Sequence, residues 1–294
     1  MTAMRSLLFV PGDSRRKLDK ALTAGADALI LDLEDSVALS EKETARRVAA
    51  DFLRDIAEEP ARPLFYVRIN ALDSGLSEGD LDAVMAAGPD GIVLPKAAGG
   101  TDVSHLGAKI AVREAEFGLA DGKTRILAIG TETARGVFAL GTYAGASHRL
   151  TGLAWGGEDL SADLGAETNR LPDGRYAEPY RLARSLTLMG AAAAGVDAVD
   201  AVFTNFRDLD GLAAECEAAR RDGFVAKMAI HPAQVAVINA AFTPTPEAMA
   251  EARAIVEAFA ASPQAGVLAV GGEMVDRPHL KRAERVLARA PKEG

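Results

Sequence analysis

The stretch Leu153-Ala-Trp-Gly-Gly-Glu-Asp-Leu-Ser-Ala-Asp-Leu-Gly165 decides the fold prediction for this chain of 294 residues. Its apolar beginning stops at two glycines, and the carboxylates Glu158 and Asp159 follow at once. A buried strand that ends in this way marks a point where the backbone turns and a side chain is aimed at a site. A second apolar run, Arg125–Glu132, also ends in an acid. If the two runs are neighbouring parallel strands, Glu132 and Asp159 lie side by side at one end of the sheet.

Outward from this stretch, short apolar strands alternate with helical segments along most of the chain. The predicted strands are Leu7–Val10, Ala28–Leu33, Leu64–Asn70, Gly91–Lys96, Arg125–Glu132, Leu150–Trp155, Ala198–Thr204 and Lys227–His231. Eight strands that alternate with helices predict an α/β fold of the (β/α)8 TIM barrel type. A doubly wound open sheet is the alternative. It is disfavoured because the sequence has no Gly-x-Gly-x-x-Gly motif after the first strand and no phosphate-loop motif.

The pattern changes near residue 241, where a proline-rich linker, Phe242–Pro246, follows the last predicted barrel helix. Beyond it the sequence predicts an amphipathic helix, a strand pair that turns at Gly271-Gly272, and a final helix. We therefore predict two parts, a barrel over residues 1–241 that carries the site and a C-terminal lid over residues 242–294. The lid carries Asp276, which stands where a helix N-cap belongs, with Pro278 in the first turn.

The charge and the cysteine content of the chain limit the partners and the cellular compartment that we expect. The net charge is −9 and no basic block occurs, which excludes nucleic acid and anionic membranes as expected partners. The single cysteine, Cys216, cannot form an internal disulfide and suggests a reducing compartment; its helical surroundings predict a buried packing thiol. The N-terminus does not resemble a signal peptide and no apolar run is long enough to span a bilayer, so we expect a cytoplasmic protein.

Polar side chains fall at or just beyond the ends of the predicted strands, where barrel enzymes build their active sites. They are Asp13, Glu34 or Asp35, Arg68, Lys96, Glu132, Asp159 and His231. Glu132 and Asp159 are candidate Mg²⁺ ligands, with water and substrate oxygens completing the octahedron. The alternative is that each caps the helix that follows it. Because adjacent strand residues point to opposite faces, only one of Glu158 and Asp159 is expected to reach the site.

Several basic residues have a functional and a structural interpretation. Arg68 lies within a strand, where it can offset negative charge on a substrate or form an ion pair with Glu34 or Asp35. Arg16 and Lys20 share a helix face that suits a nucleotide phosphate or bulk solvent. Lys96 is a candidate Schiff-base lysine of a metal-free aldolase, an interpretation that the carboxylate pair disfavours. His231 is either a catalytic side chain or a packed, hydrogen-bonded one.

Eight fragments of the sequence occur in the order typical of the citrate lyase β-subunit-like proteins, which group with the malyl-CoA and citramalyl-CoA lyases. The fragments are Arg5–Asp13, Leu31–Asp35, Val67–Asn70, Leu94–Lys96, Glu132-Thr133, Gly157–Asp159, Ile230–Pro232 and Met274–Asp276. Each is weak alone, but eight in order are specific, and nearly the whole chain resembles this family of metal-dependent barrel aldolases. The resemblance implies a (β/α)8 barrel, Mg²⁺ with Mn²⁺ as a possible substitute, an acyl-CoA or acyl-carrier thioester, and a homotrimer or a hexamer made of two trimers.

The resemblance also implies residue roles. Glu132 and Asp159 match the family's metal ligands, and Arg68 matches an arginine that contacts the substrate and the enolate. Arg16 and Lys20 match positions that contact the CoA phosphates, and Phe9 matches an aromatic residue of the CoA pocket. Asp276 matches the acid that a neighbouring subunit's lid brings to the site. Short citrate lyase-like members often lack that aspartate, so its presence favours an independent CoA lyase. The segment Arg170–Tyr176 is longer than the family pattern, which leaves the acyl group open.

The predicted function is a reversible, Mg²⁺-dependent retro-Claisen cleavage of a 3-hydroxy-dicarboxylyl-CoA, of the malyl-, citramalyl- or citryl-CoA type. The products are acetyl-CoA and a 2-oxo acid. Two alternatives remain open from the sequence. One is a malyl-CoA-type thioesterase that uses the same metal to activate water. The other is a citrate lyase β-like subunit that acts only on an acyl-carrier thioester.

Overall fold

A computed structural model describes residues 4–57, 59 and 61–290 of the chain. Eight parallel strands form a closed barrel in sequence order, which confirms the predicted fold. They are β1 (Ser6–Pro11), β2 (Ala28–Asp32), β3 (Leu64–Arg68), β4 (Gly91–Leu94), β5 (Arg125–Ile129), β6 (Leu150–Ala154), β7 (Asp197–Asp200) and β8 (Ala226–Ala229). The last two strands are shorter than predicted, because the apolar run after Asp200 continues as loop and the chain turns into a helix after Ala229.

Helices cover the outside of this barrel. They are α1 (Arg15–Ala21), α2 (Lys42–Ile56), α3 (Ser77–Val84), α4 (Gly100–Glu116), α5 (Ala134–Ala139), α6 (Gly157–Asp163), α7 (Glu178–Ala194), α8 (Leu209–Asp222) and α9 (Pro232–Phe242). Both faces of each strand are therefore buried, which explains why the strands are continuous apolar runs. Side chains such as Ile30, Val93 and Leu127 fill the barrel interior, whereas Leu29 and Leu31 pack in the layer between strands and helices.

The C-terminal part follows the barrel as α10 (Pro246–Ala261), an antiparallel hairpin of β9 (Val267–Val270) and β10 (Glu273–Asp276), and α11 (Arg277–Leu287). Gly271 and Gly272 form the hairpin turn with φ of 59° and 88°, a backbone conformation that glycine adopts at little cost. This part has a small hydrophobic core of its own, centred on Phe259 and Val275. The helix, the hairpin and the final helix occur in the predicted order. The two predicted parts also include residues 1–3, 58, 60 and 291–294, which lie outside the described residues.

The end of α11 lies near the end of the barrel opposite to the predicted site. Burial raises the pKa of Asp197, the first residue of β7, and the positive charges of Arg289 and Arg285 act against that rise. Because the predicted site lies where the strands end, the last turn of α11 and the site are at opposite ends of β7. A lid function over the chain's own barrel mouth therefore receives no support from this arrangement.

Two sequence observations can be followed in the fold. Cys216 is completely buried within α8, as expected for a packing thiol. None of the described helices has the length and apolar character that a membrane span requires.

Candidate active site

A cavity of about 70 Å³ opens at the carboxyl ends of the barrel strands. Its lining residues are Phe9, Arg68, Ile129, Glu132, Trp155, Gly156, Gly157, Glu158, Asp159, Ala201, Val202 and Met228. Strands β5 and β6 are hydrogen-bonded neighbours, so the turns that follow them bring Glu132 and Asp159 to the same rim, as predicted.

Glu132 is 3% exposed and aimed into the cavity region rather than at a helix end. Its Oε2 accepts a hydrogen bond from the backbone N–H of Lys96 at 2.5 Å. Burial, reinforced by the negative charge of Asp159, raises the pKa of Glu132 to about 8. The alternative that Glu132 caps the next helix is wrong, because Thr133 is the N-cap of α5 and accepts the N–H of Gly136 at 3.1 Å.

Gly156 is needed beside this carboxylate. A Cβ atom at position 156 would lie 2.7 Å from Cγ of Glu132, closer than a real Cβ contact allows. Gly156, the first of the two glycines after β6, therefore gives the Glu132 side chain the space that it occupies.

Asp159 and Glu158 lie in the first turn of α6, not on a strand. The strand-based reason for separating them was therefore wrong, and both border the cavity. Their contacts still differ, because side chains of adjacent helical residues diverge. Oε1 of Glu158 accepts a hydrogen bond from Nδ2 of Asn169 at 2.8 Å. Oδ1 of Asp159 lies 3.3 Å from Nζ of Lys96.

Arg68 is the last residue of β3 and is held in one orientation by buried carboxylates. Its Nε and Nη2 donate to the two carboxylate oxygens of Asp32, each at 2.7 Å, and its Nη1 lies 3.0 Å from Glu34. The guanidinium lies over the ring of Phe9, 4.7 Å from the centroid. Burial lowers the pKa of Arg68, but its interactions with Asp32 and the other nearby carboxylates outweigh this effect. The pKa is therefore raised above its ordinary value, and the guanidinium stays charged. The predicted pairing with Glu34 is confirmed, whereas the main partner, Asp32, was missed.

The strand register would have revealed Asp32. Asp32 stands opposite Arg68 where β2 pairs with β3. An acid in the last position of an apolar strand, next to an arginine in the last position of the following strand, is the signal that the sequence offered.

Lys96 contacts both candidate metal ligands. Its backbone N–H binds Glu132, and its Nζ pairs with Glu34 and lies 3.3 Å from Asp159 and 3.4 Å from Asp35. Its backbone has φ of 50°, an uncommon conformation for a residue with a side chain. Burial lowers the pKa of this ammonium group, but the hydrogen bond to Glu34 raises it above its ordinary value. A lysine that stays protonated is a poor Schiff-base nucleophile.

The other predicted residues lie outside this cavity. Arg16 and Lys20 are exposed on α1. His231 is the N-cap of α9, where its Nδ1 accepts the N–H of Ala233 at 3.1 Å and its ring stacks on Phe206, so the structural interpretation is supported. Asp276 is the N-cap of α11, with Oδ1 2.5 Å from Nδ1 of His279, and this hydrogen bond lowers its pKa.

A buried ion network supports the turn that carries Asp159. Trp155 donates its indole N–H to Asp200 at 2.7 Å. Lys227 is completely buried and bridges Asp200 at 2.7 Å and Glu215 at 2.8 Å.

The long segment Arg170–Tyr176 joins the same network. Arg170 stacks over the ring of Tyr176 at 3.8 Å and lies 3.2 Å from Glu215. The ring of Tyr176 in turn packs edge-on against Trp155, with centroids 4.9 Å apart.

The carboxylates at this rim suit a hard cation whose other coordination positions are filled by water and substrate. The described residues contain no group of three or more His, Cys, Asp or Glu side chains that could hold a metal ion. The pair Glu132 and Asp159 supplies two carboxylates, and Mg²⁺ commonly binds one or two protein carboxylates while water and substrate oxygens occupy its other positions. Repulsion from Asp159 contributes to the raised pKa of Glu132, and a divalent cation between them would relieve it.

Fold and site together define a barrel enzyme class with a carboxylate pair and a buried arginine at the strand ends. The comparison with protein families names it more closely. Residues 5–232 match the HpcH/HpaI aldolase/citrate lyase family, and residues 179–294 match a family described as C–C bond lyases of the TIM-barrel fold. The chain belongs to the HpcH/HpaI aldolase/citrate lyase family.

Individual relatives cover nearly the whole chain. Citrate lyase subunit beta of Leuconostoc mesenteroides subsp. cremoris is 36% identical, over 96% of this chain and 92% of the relative. A (3S)-malyl-CoA thioesterase of Cereibacter sphaeroides is also 36% identical, over 97% of this chain and 94% of the relative. A crystal structure of protein CitE from Mycobacterium tuberculosis in complex with magnesium, acetoacetate and coenzyme A superimposes with a TM-score of 0.76, at 36% identity and 98% coverage of both chains.

Proposed function

We propose that this chain is a Mg²⁺-dependent carbon–carbon lyase. It cleaves a 3-hydroxy-dicarboxylyl-CoA thioester of the malyl-, citramalyl- or citryl-CoA type, reversibly, to acetyl-CoA and a 2-oxo acid. One observation carries the proposal. Glu132 and Asp159, which follow the neighbouring strands β5 and β6, share one cavity with the buried guanidinium of Arg68. The relative crystallised with magnesium and coenzyme A supports the choice of metal and thioester.

Two carboxylates of this chain are the proposed ligands of the metal. Glu132 and Asp159 would hold Mg²⁺, which would supply Lewis-acid chemistry at the hydroxyl-bearing end of the substrate. Glu132 is fixed for this by the Lys96 N–H and by the space at Gly156. Asp159 is placed by the first turn of α6.

Arg68 stabilises the charge that develops when the bond breaks. As the C–C bond cleaves, the hydroxyl proton passes to solvent water, the hydroxyl-bearing carbon becomes the 2-oxo carbon, and the electron pair of the broken bond moves onto the thioester as an enolate. Arg68 binds that enolate oxygen, where a preorganised donor is more effective than water. Two carboxylate oxygens of Asp32 and the ring of Phe9 hold the guanidinium in position before the substrate arrives.

Asp276, which its hydrogen bond to His279 keeps ionised within its own chain, relays a proton from solvent to the enolate's CH₂ carbon, and that carbon becomes the acetyl methyl group. Within its own chain Asp276 does not line the cavity. We therefore propose that the acid comes from the C-terminal part of a neighbouring subunit in a homotrimer or hexamer. In the same assembly, exposed Arg16 and Lys20 bind the CoA phosphates.

A thioesterase is the second candidate, favoured by the Cereibacter sphaeroides relative. In that reaction the same cavity would activate water against the thioester, and a free hydroxy acid and CoA thiol would be released. A third possibility, a subunit that acts on a carrier-bound thioester, rests on the citrate lyase subunits among the relatives.

Product analysis tests these possibilities together. The purified chain is incubated with malyl-, citramalyl- and citryl-CoA, with Mg²⁺ or with EDTA. Mg²⁺-dependent formation of acetyl-CoA and a 2-oxo acid is expected, and Glu132→Gln should abolish it. Release of CoA thiol with a hydroxy acid would instead establish the thioesterase. Cleavage only of a carrier-bound thioester would establish the subunit role.

A further inference from the structure

The cavity that holds the carboxylate pair has an apolar floor. Ile129 and Met228 are barrel-interior residues with 2% and 3% exposure, and Ala201 and Val202 follow the end of β7. Phe9 completes this surface and is itself covered by Arg68. A substrate substituent that extends away from the metal ligands therefore meets hydrocarbon.

The cations near the cavity are already paired. Arg68 makes a bidentate contact with Asp32 and a further one with Glu34. Lys96 contacts Glu34 and Asp159. Among the residues that line the cavity, Arg68 is the only cation, and the proposed function assigns its remaining hydrogen-bonding capacity to the enolate oxygen. A second carboxylate of a substrate would therefore find no uncommitted positive partner there.

The net charge of the cluster around the cavity also disfavours a second substrate carboxylate. The carboxylates of this cluster are the buried Asp32, Glu34 and Glu132, the partly exposed Asp159 and the exposed Asp35, and the cations are Arg68 and Lys96. When all five carboxylates are ionised, five negative and two positive charges leave an excess of three, which a single divalent metal ion lowers to one. A metal-bound substrate carboxylate adds one negative charge, and a second carboxylate on the apolar floor would add another without compensation, which is strongly unfavourable in a buried site.

Building on the proposed lyase function, we propose that the substituent on the hydroxyl-bearing carbon is hydrogen or methyl. The 2-oxo acid released is then of the glyoxylate or pyruvate type. A carboxymethyl substituent, as in citryl-CoA, is rejected by the lack of a cation rather than by size alone. This separates the chain in substrate class from the citrate lyase subunits to which it is similar.

Relative specificity constants test the proposal. We expect kcat/KM for malyl- or citramalyl-CoA to exceed that for citryl-CoA by at least about a hundredfold, as unpaired buried groups produce large discrimination. A citryl-CoA value equal to or above the others would overturn the proposal while leaving the lyase function intact. Failure to cleave any ester would refute the lyase function. In that event, calorimetric titration of the Mg²⁺-loaded protein with pyruvate and oxaloacetate still decides the pocket preference, because at least about tenfold tighter binding of pyruvate is expected.

Two substitutions at one position separate charge from space. Val202 is partly buried at the cavity wall. Val202→Lys should raise the citryl-to-citramalyl ratio of kcat/KM by about tenfold or more, since it adds a cation. Val202→Ala adds space without charge and should leave that ratio low. A comparable rise with alanine would show that size controls selection and would overturn the charge argument. Melting temperatures identify a variant that fails to fold, and the wild-type ratio then stands as the test.

Discussion

Two inactive variants, mixed within one oligomer, should recover about one quarter of the wild-type turnover if Asp276 acts in a neighbouring subunit. The variants are Glu132→Gln, which damages the barrel site, and Asp276→Asn, which removes the acid. Each variant alone should be nearly inactive.

The expected fraction follows from the separation of the two residues in the chain. Asp276 is absent from the cavity that contains Glu132. If each site combines one chain's barrel with the next chain's acid, about half of the barrels are intact in an equal mixture, and about half of those meet an intact acid. If both residues came from the same chain, every site would carry one defect and the mixture would stay inactive.

The substitution at position 276 preserves the helix. Asp276 caps α11 through the N–H of His279, and asparagine is an equally good N-cap, so the loss of activity would report chemistry rather than unfolding. Glu273→Gln, an exposed change in the same hairpin, is the matched control and should keep full turnover.

The assay is Mg²⁺-dependent acetyl-CoA release by oligomers reassembled at random from an equal mixture of the two variants, and two different tags verify that mixed oligomers have formed. Activity no greater than that of the separate variants would refute the shared site. Full turnover by Asp276→Asn alone would refute its role in proton transfer.

Three further predictions concern single chains. Arg68→Lys should lower turnover about a hundredfold in steady-state kinetics with little change in CoA binding, because lysine cannot keep the two-point contact with Asp32 that aligns the group. Lys227→Met should lower the free energy of unfolding in urea by about 3–5 kcal/mol, because Asp200 is left buried without its main partner. Cys216 should not react with a thiol reagent at pH 8 until the protein is unfolded, since burial raises its pKa to about 12.

A control variant or a contrary outcome tests the physical reason given for each of these three predictions. Arg181→Met removes an exposed pair with Glu178 on α7 and should change the free energy of unfolding by less than about 0.5 kcal/mol. An equally small effect of Lys227→Met would contradict the importance of the buried network. Wild-type turnover in Arg68→Lys would contradict the alignment argument, and rapid modification of the folded thiol would contradict the burial of Cys216.

The sequence predicted the barrel and the rim that carries the site because both depend on local patterns. Strands buried on both faces appear as apolar runs, and parallel neighbours place Glu132 and Asp159 together. Asp32 was missed because its role depends on the register between two strands. Glu158 and Asp159 were assigned to a strand because a short helix after two glycines has no periodic signal of its own.

The position of the C-terminal part could not be predicted from local patterns. Its elements were predicted correctly, since the glycine turn and the N-cap at Asp276 are local signals. The approach of Arg285 and Arg289 to Asp197 depends instead on tertiary packing.

The contacts from α8 to Trp155 connect the protein's outer layer of helices with the candidate active site. Glu215 on α8 touches Lys227, Lys227 touches Asp200, and Asp200 holds the indole N–H of Trp155. A substitution on an outer helix can therefore change how firmly the turn that carries Asp159 is held without altering any residue that lines the cavity. Under the proposed function, metal affinity would then be tuned at Glu215 while the cavity wall is left untouched.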